Sequence, residues 1–71
     1  MIEEIFQKIR PGANIKESKD IINDYSLDSF DVAGLIADIE EQYKINIAIE
    51  DINVENFRTY QSICDMIERN K

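Results

Sequence analysis

The chain has 71 residues, 44% of them hydrophobic and 32% charged, which fits one folded domain over residues 1–71 and argues against disorder. Eight basic and 15 acidic residues give a net charge of −7, so we expect basic protein surfaces as partners and no nucleic acid. The chain lacks an apolar run of about 18 residues and a basic leader, and Cys64 is its single cysteine; we expect a cytoplasmic monomer that is not an integral membrane protein.

The first predicted element is a helix at the start of the chain. Apolar residues recur there at helical spacing, at Ile2, Ile5, Phe6 and Ile9. Pro11 and Gly12 predict its end, because proline cannot continue a helix. From Ala13 to Leu27 no clean period holds, which predicts a long loop. We expect four apolar residues to attach this loop to the core, namely Ile15, Ile21, Ile22 and Leu27.

A second helix is predicted to begin at Asp28 and Ser29, since both side chains can accept the free backbone N–H groups of a first helical turn. Its apolar stripe consists of Val32, Leu35, Ile36, Ile39 and Tyr43. A second, weakly apolar strip lies away from this stripe and consists of Phe30, Ala33, Gly34 and Ala37. The pattern predicts one buried face and one face that is free to meet another molecule.

The segment before the last helix is predicted to be an extended connector. Ile45, Ile47 and Ile49 alternate, but no other part of the chain offers a strand partner, so we expect them to be buried anchors. A short turn of helix is predicted around Glu50–Asn56. Thr59 is predicted to cap the last helix. The buried stripe of that helix is predicted to consist of Tyr60, Ile63, Cys64 and Ile67.

The negative charge is concentrated in one segment. Between Asp20 and Tyr43 there is no Lys or Arg. The acids of this segment are Asp20, Asp24, Asp28, Asp31, Asp38, Glu40 and Glu41. Because they surround Ser29, we expect them to attract basic surfaces toward that residue.

Several kinds of chemistry are excluded by the residues that are missing. Histidine is absent, which excludes Ser-His-Asp and Cys-His catalysis and zinc sites that need histidine. The only glycines are Gly12 and Gly34, so there is no phosphate-binding loop. A calcium loop starting at Asp24 would have Ser29 at its sixth position and Leu35 at its twelfth, where glycine and glutamate are needed. We therefore predict no catalytic residue, no metal site and no enzymatic activity.

The segment Leu27-Asp28-Ser29-Phe30-Asp31 resembles the attachment motif of acyl carrier proteins, in which Asp-Ser precedes Leu or Phe. The resemblance covers most of the chain. Further matching residues are Leu35, Ile39, Glu40, Glu41, Tyr43, Thr59, Gln61, Ile63, Asp65 and Ile67. It implies an all-α fold, a small up-and-down four-helix bundle with a long first loop and a short third helix.

The resemblance also implies a site. Ser29, with Asp28 as part of its motif, would receive a 4'-phosphopantetheine arm from coenzyme A through a separate, magnesium-dependent phosphopantetheinyl transferase. The thiol at the end of the arm would hold acyl or aminoacyl groups as thioesters. A phosphodiester on Ser29 would be favoured by the free N–H groups and dipole of a helix N-terminus. The predicted partner-binding residues are Phe30, Asp31, Ala33, Ala37, Asp38 and Glu41.

Three functions remain open at this point. The first is a free-standing carrier loaded by an adenylating enzyme, because Leu27–Phe30 and the spacing from Tyr43 to Thr59 resemble D-alanyl carrier proteins. The second is a carrier of a fatty-acid or polyketide synthase. It is weakened by Gly34, where carriers of fatty-acid synthesis usually have glutamate. The third is a helical adaptor that never carries a prosthetic group.

Overall fold

A computed structural model describes residues 2–71. Its α-helices in this range are α1 (Ile2–Ile9), α2 (Ile21–Asp24), α3 (Ser29–Tyr43) and α4 (Tyr60–Arg69). Two 3-10 helices lie between α3 and α4, at Ile49–Asp51 and Glu55–Phe57. Residues 2–71 contain no strand, so the predicted all-α class is confirmed. The up-and-down order of the helices stays a prediction.

One apolar core connects all four α-helices. Helix α1 packs against α3, and α4 packs against the second 3-10 helix. The buried residues are Ile2, Ile5, Phe6, Ile15, Ile21, Leu27, Leu35, Ile39, Ile47, Phe57, Ile63, Met66 and Ile67. No polar or charged residue within 2–71 belongs to this core. Burial of apolar side chains from every segment is therefore what holds this short chain together.

The predicted loop between α1 and α3 is interrupted by one helical turn. Asp20 caps α2, because its carboxylate accepts the Asn23 backbone N–H at 3.4 Å. The Ile21 N–H donates to the Arg58 carbonyl at 2.7 Å, which ties α2 to the chain just before α4. A structureless loop was the wrong prediction here, since a four-residue helix is too short to show a hydrophobic period. The predicted anchors Ile15, Ile21 and Leu27 are buried, and Ile22 is half-buried.

Helix α3 is fixed at both ends by local hydrogen bonds. Asp28 is its N-cap, and the backbone leaves the helix at Lys44, which has a left-handed φ of 56°. The Lys44 N–H still donates to the Glu40 carbonyl, so the final turn is closed. Leu35 and Ile39 are fully buried, as predicted. The other members of the predicted stripe are only half-buried; they are Val32, Ile36 and Tyr43.

The connector after α3 follows the prediction only in part. Ile47 is buried, but Ile49 is 83% exposed and starts the first 3-10 helix. The predicted anchoring by Ile49 is wrong, because the chain turns there and the alternation between faces ends. The backbone of the extended part pairs with side chains instead of a strand. The Glu40 carboxylate accepts the Ile47 N–H at 2.9 Å, and the Asn70 amide oxygen accepts the Ala48 N–H at 3.0 Å.

Helix α4 begins as predicted. Thr59 is its N-cap, in a reciprocal capping box with Ser62. The predicted short third helix around Glu50–Asn56 is replaced by the two 3-10 helices. The buried residues of α4 are Ile63, Met66 and Ile67, whereas the predicted Tyr60 and Cys64 are half-buried at the border of the core. No helix of residues 2–71 has both the length and the apolar character that crossing a membrane requires.

Candidate functional site

Ser29 is the first residue of α3 and is exposed. The preceding residue, Asp28, provides the cap: its carboxylate accepts the Asp31 N–H at 2.8 Å. Ser29 is therefore not needed as a cap. Within residues 2–71, its hydroxyl takes part in no hydrogen bond. The result is an accessible and uncommitted hydroxyl at the N-terminus of a 15-residue helix.

The turn in front of Ser29 is held by a reciprocal pair of acids. The Asp28 N–H donates to the Asp31 carboxylate at 3.3 Å, which completes a capping box. The same Asp31 oxygen accepts from the Arg10 guanidinium at 2.8 Å. The Asp31 side chain is only 20% exposed. Asp31, predicted to bind partners, therefore has two intramolecular partners already.

The acidic segment divides into engaged and unengaged carboxylates. Asp24 accepts from the Ser18 hydroxyl at 2.6 Å, and Glu40 accepts from the connector backbone at 2.9 Å. Asp20 and Asp28 cap helices. Of the acids predicted to bind partners, Asp38 and Glu41 have no ion pair or side-chain hydrogen bond in the described part of the chain. Glu41 is exposed and Asp38 is half-buried, so these two carboxylates are not committed to contacts within the described residues.

The weakly apolar strip of α3 faces solvent. Phe30 is 88% exposed, and Ala33, Gly34 and Ala37 are exposed as well. A Cβ on Gly34 would meet no atom within 4 Å outside the helix itself, so packing does not require glycine there. The strip leaves an open apolar surface that begins next to Ser29. Aromatic residues such as Phe30 are enriched at protein interfaces relative to the rest of the surface.

An apolar groove with a volume of about 360 Å³ lies beside Ser29. Ser29 itself contributes to its lining. Its other walls come from α2, α3 and the 3-10 segment, and include Val32, Ala33, Ile36, Ile52, Val54 and Phe57. Sequence reasoning missed Ile52 and Val54. In the sequence, the only sign of a role for these two residues is their apolar character within a segment rich in turn-forming residues. Two residues are too few to form a periodic stripe, so the pattern does not predict which surface they line.

The described groups whose pKa is shifted are Glu3, Tyr43, Asp51 and Tyr60, and none of these four lines the groove. A hydrogen bond from Asn70 lowers the pKa of Asp51, and a backbone hydrogen bond lowers the pKa of Glu3. Burial raises the pKa of Tyr43.

The residues present fit a phosphopantetheine arm. An arm needs an accessible hydroxyl for its phosphodiester, and Ser29 is exposed. The phosphate needs hydrogen-bond donors, which the first turn of α3 has in its free N–H groups. The extended arm needs a surface to lie on, and the groove provides one. The site thus has the features of a carrier domain.

Comparison with known proteins defines the family. The family model described as "phosphopantetheine attachment site" matches residues 2–67. The chain therefore belongs to the family of phosphopantetheine-binding carrier domains. Its cofactor is covalently attached 4'-phosphopantetheine, and domains of this family are non-catalytic carriers that phosphopantetheinyl transferases modify and synthase-type enzymes contact. No curated protein and no solved structure matches the sequence significantly.

Proposed function

We propose that Ser29 is the attachment point of the arm and that the protein presents acyl or aminoacyl thioesters to partner enzymes. The observation that carries this proposal is the position of its hydroxyl, exposed and unbonded at the first turn of α3 beside the groove. Two other serines are occupied. The Ser18 hydroxyl donates to Asp24 at 2.6 Å, and the Ser62 hydroxyl bonds the Asn56 carbonyl at 3.0 Å.

The arm on Ser29 would act by keeping its cargo near a docked partner. A flexible arm tied at one point gives the thioester a high effective concentration within its reach. The neighbouring groove would shelter part of the arm or cargo from water between encounters, because its lining is almost entirely apolar. Activation of the Ser29 hydroxyl would come from the transferase, since the chain has no histidine and no carboxylate of residues 2–71 accepts a hydrogen bond from this hydroxyl.

The assignment of Ser29 is tested by arm transfer. The purified protein is incubated with coenzyme A, magnesium and a broad-specificity phosphopantetheinyl transferase, and its intact mass is measured. Wild type and the control Ser26→Ala are expected to gain one arm, whereas Ser29→Ala gains none at unchanged helicity. Modification of Ser29→Ala, or an unmodified wild type, would contradict the assignment.

We propose that partners dock on the exposed face of α3. Phe30 provides an apolar contact next to the arm, and Asp38 and Glu41 provide unengaged negative charge. Ala33 and Ala37 are exposed and small, so a partner can approach the helix axis between these groups. Asp31 is assigned an internal role instead, because Arg10 occupies its carboxylate.

We propose an adenylating enzyme as the loading partner, delivering a preformed acid or amino acid. The support is the resemblance of Leu27–Phe30 to D-alanyl carrier proteins, and Gly34 in place of the usual acid. Offering the arm-bearing protein to adenylating enzymes and to a malonyl transferase tests this. Malonyl transfer followed by elongation, without loading by any adenylating enzyme, would support a fatty-acid or polyketide synthase carrier instead. An adaptor without a prosthetic group is set aside, because the family attaches its cofactor covalently.

A further inference from the structure

The guanidinium of Arg10 lies where three helices meet. Arg10 follows the last residue of α1, and its N–H donates to the Phe6 carbonyl at 2.8 Å. Its side chain is only 33% exposed, although it is the most polar of side chains. Such partial burial requires that its donors be satisfied by the protein.

Four acceptors surround this guanidinium. Nε donates to the Tyr25 carbonyl at 2.8 Å, and Nη1 donates to the Ile9 carbonyl at 2.8 Å. Nη2 donates to the Ser26 carbonyl at 3.1 Å and to the Asp31 carboxylate at 2.8 Å. The acceptors belong to the end of α1, the end of α2 and the first turn of α3.

Two of the four acceptors, the Tyr25 and Ser26 carbonyls, belong to the turn between α2 and α3. The backbone of this turn is strained. Tyr25 is the C-cap of α2, and Ser26 has a left-handed φ of 53°. A non-glycine residue in that region carries a conformational cost and stays there only if its surroundings hold it. Arg10 bonds the carbonyls on both sides of the Tyr25–Ser26 link. It thus holds the strained turn that leads into Ser29.

The Asp31 carboxylate extends this support to helix α3 itself. Asp31 accepts the Asp28 N–H in the capping box, and the Arg10 bond fixes the carboxylate that does so. Both sides of Ser29 are therefore connected to the Arg10 guanidinium. The turn before Ser29 is connected through two carbonyls, and the helical turn after it through Asp31.

We propose that Arg10 is a positioning residue for the attachment site. It holds the Ser26–Asp31 segment in the one conformation that a transferase or loading enzyme can engage. The proposal rests on the proposed attachment at Ser29. Arg10 acts through Asp31 and the loop carbonyls. It lies directly after α1, far from the Leu27–Asp31 motif, so no local pattern around Ser29 indicates its role.

The guanidinium shape is essential to this role. Its donors are fixed in a plane and can bond several acceptors at once, whereas an ammonium group is a point charge on a flexible stem. Lysine at position 10 would keep the charge but would not reach both loop carbonyls and Asp31 together. If the segment then occupies its competent conformation only part of the time, the apparent affinity for partners falls by that fraction.

The test measures arm transfer and local order in Arg10→Gln, Arg10→Lys and the control Arg58→Gln. The control removes an equal charge from an exposed ion pair with Glu55 at 3.2 Å. For Arg10→Gln we expect the transferase KM for the carrier to rise roughly tenfold with little change in kcat. Arg10→Lys should fall between this variant and wild type, and Arg58→Gln should stay within about twofold of wild type.

Amide hydrogen exchange on the unmodified proteins gives a second readout. Exchange of residues 26–31 should be faster in both Arg10 variants, with exchange in α4 unchanged, and wild-type-like in the control. If Arg10→Gln fails to fold, Arg10→Lys alone carries the test. Hydrogen exchange is measured without the arm. If wild-type Ser29 were not modified, the proposed function would be overturned, but the exchange result for Arg10 would still stand.

Three results would overturn the role of Arg10. One is unchanged KM and exchange in both Arg10 variants. Another is full recovery in Arg10→Lys, which would make charge alone sufficient. The last is a raised KM with wild-type exchange at residues 26–31, which would make Arg10 a direct contact of the transferase rather than a positioning residue.

Discussion

Two substitutions with the same change in charge are expected to affect stability in opposite directions. Asp31→Lys and Glu41→Lys each raise the net charge of −7 by two, and both residues lie in α3. Asp31 is in the first turn and paired with Arg10 at 2.8 Å, whereas Glu41 is exposed in the last turn. Their surroundings, and not the net charge, should determine the result.

Asp31→Lys removes a charged hydrogen bond and places two cations side by side. A partly buried bond of this kind contributes about 1.5 kcal/mol, between the values for exposed and buried pairs. A cation at a helix N-terminus costs a further ~0.5 kcal/mol. A domain of this size has a free energy of unfolding of roughly 4–10 kcal/mol. The expected loss of about 2 kcal/mol lowers the Tm by roughly 8–16 °C.

Glu41→Lys acts on the opposite end of the helix dipole. The last turn of α3 contains no basic residue, and its carbonyls favour positive charge. Because Glu41 has no intramolecular partner in the described part of the chain, nothing is lost on substitution. We expect a gain of about 0.5 kcal/mol, or a Tm roughly 2–4 °C higher.

Thermal and urea unfolding at low ionic strength measure both effects. Loading by a partner enzyme should also slow in Glu41→Lys, since its charge is available for docking, and this slowing should vanish at high salt. A Tm for Asp31→Lys within about 2 °C of wild type would refute the importance of the Arg10 pair. Equal Tm shifts for the two variants would show that net charge alone, and not the surroundings of each residue, determines the change in stability.

Two further predictions concern the connector and its attachment to α4. Ile47→Ala should lower the free energy of unfolding by about 2–3 kcal/mol because its side chain is buried, whereas Ile49→Ala should change it by less than about 0.5 kcal/mol, as measured by urea unfolding. Hydrogen bonds from Asn70 and Arg69 lower the pKa of Asp51, so its contribution to stability is present above its ordinary pKa of 3.8 and is lost as pH falls further. Wild type should therefore lose stability below pH 3.8 more steeply than Asp51→Asn, and parallel acid-unfolding curves for the two proteins would contradict this.

The connector shows where a sequence pattern stops being informative. Ile45, Ile47 and Ile49 alternate identically in the sequence, but Ile47 is buried, Ile45 is half-buried against the core and Ile49 is exposed. Alternating apolar residues point to the same side of the chain only while the backbone stays extended, so the pattern predicts burial only over that stretch. The chain turns into a 3-10 helix at Ile49, and the side chains of Asp51 and Asn56 beyond it accept hydrogen bonds from the end of α4, from Arg69 and from the C-cap Asn70. Those bonds join residues far apart in the chain.

The groove and the roles of the acids likewise needed the folded chain. Val54 lines the groove with Ile22 and Phe57 because separate segments meet there, and no local pattern connects them. The carboxylates of Asp31 and Glu41 look alike in the sequence. Asp31 differs from Glu41 because its carboxylate accepts a hydrogen bond from Arg10, a residue that lies 21 positions earlier in the chain.

The sequence by itself determined the features that depend on neighbouring residues. Helix α3 begins at Asp28 and Ser29, and α4 at Thr59, because caps act within three residues. The exposed strip of α3 followed from a period that one helix maintains over 15 residues. The tertiary structure alone decided which hydroxyls, carboxylates and apolar side chains stay free, and that Arg10 holds the turn before Ser29. These depend on contacts between distant segments, which packing creates and local spacing does not encode.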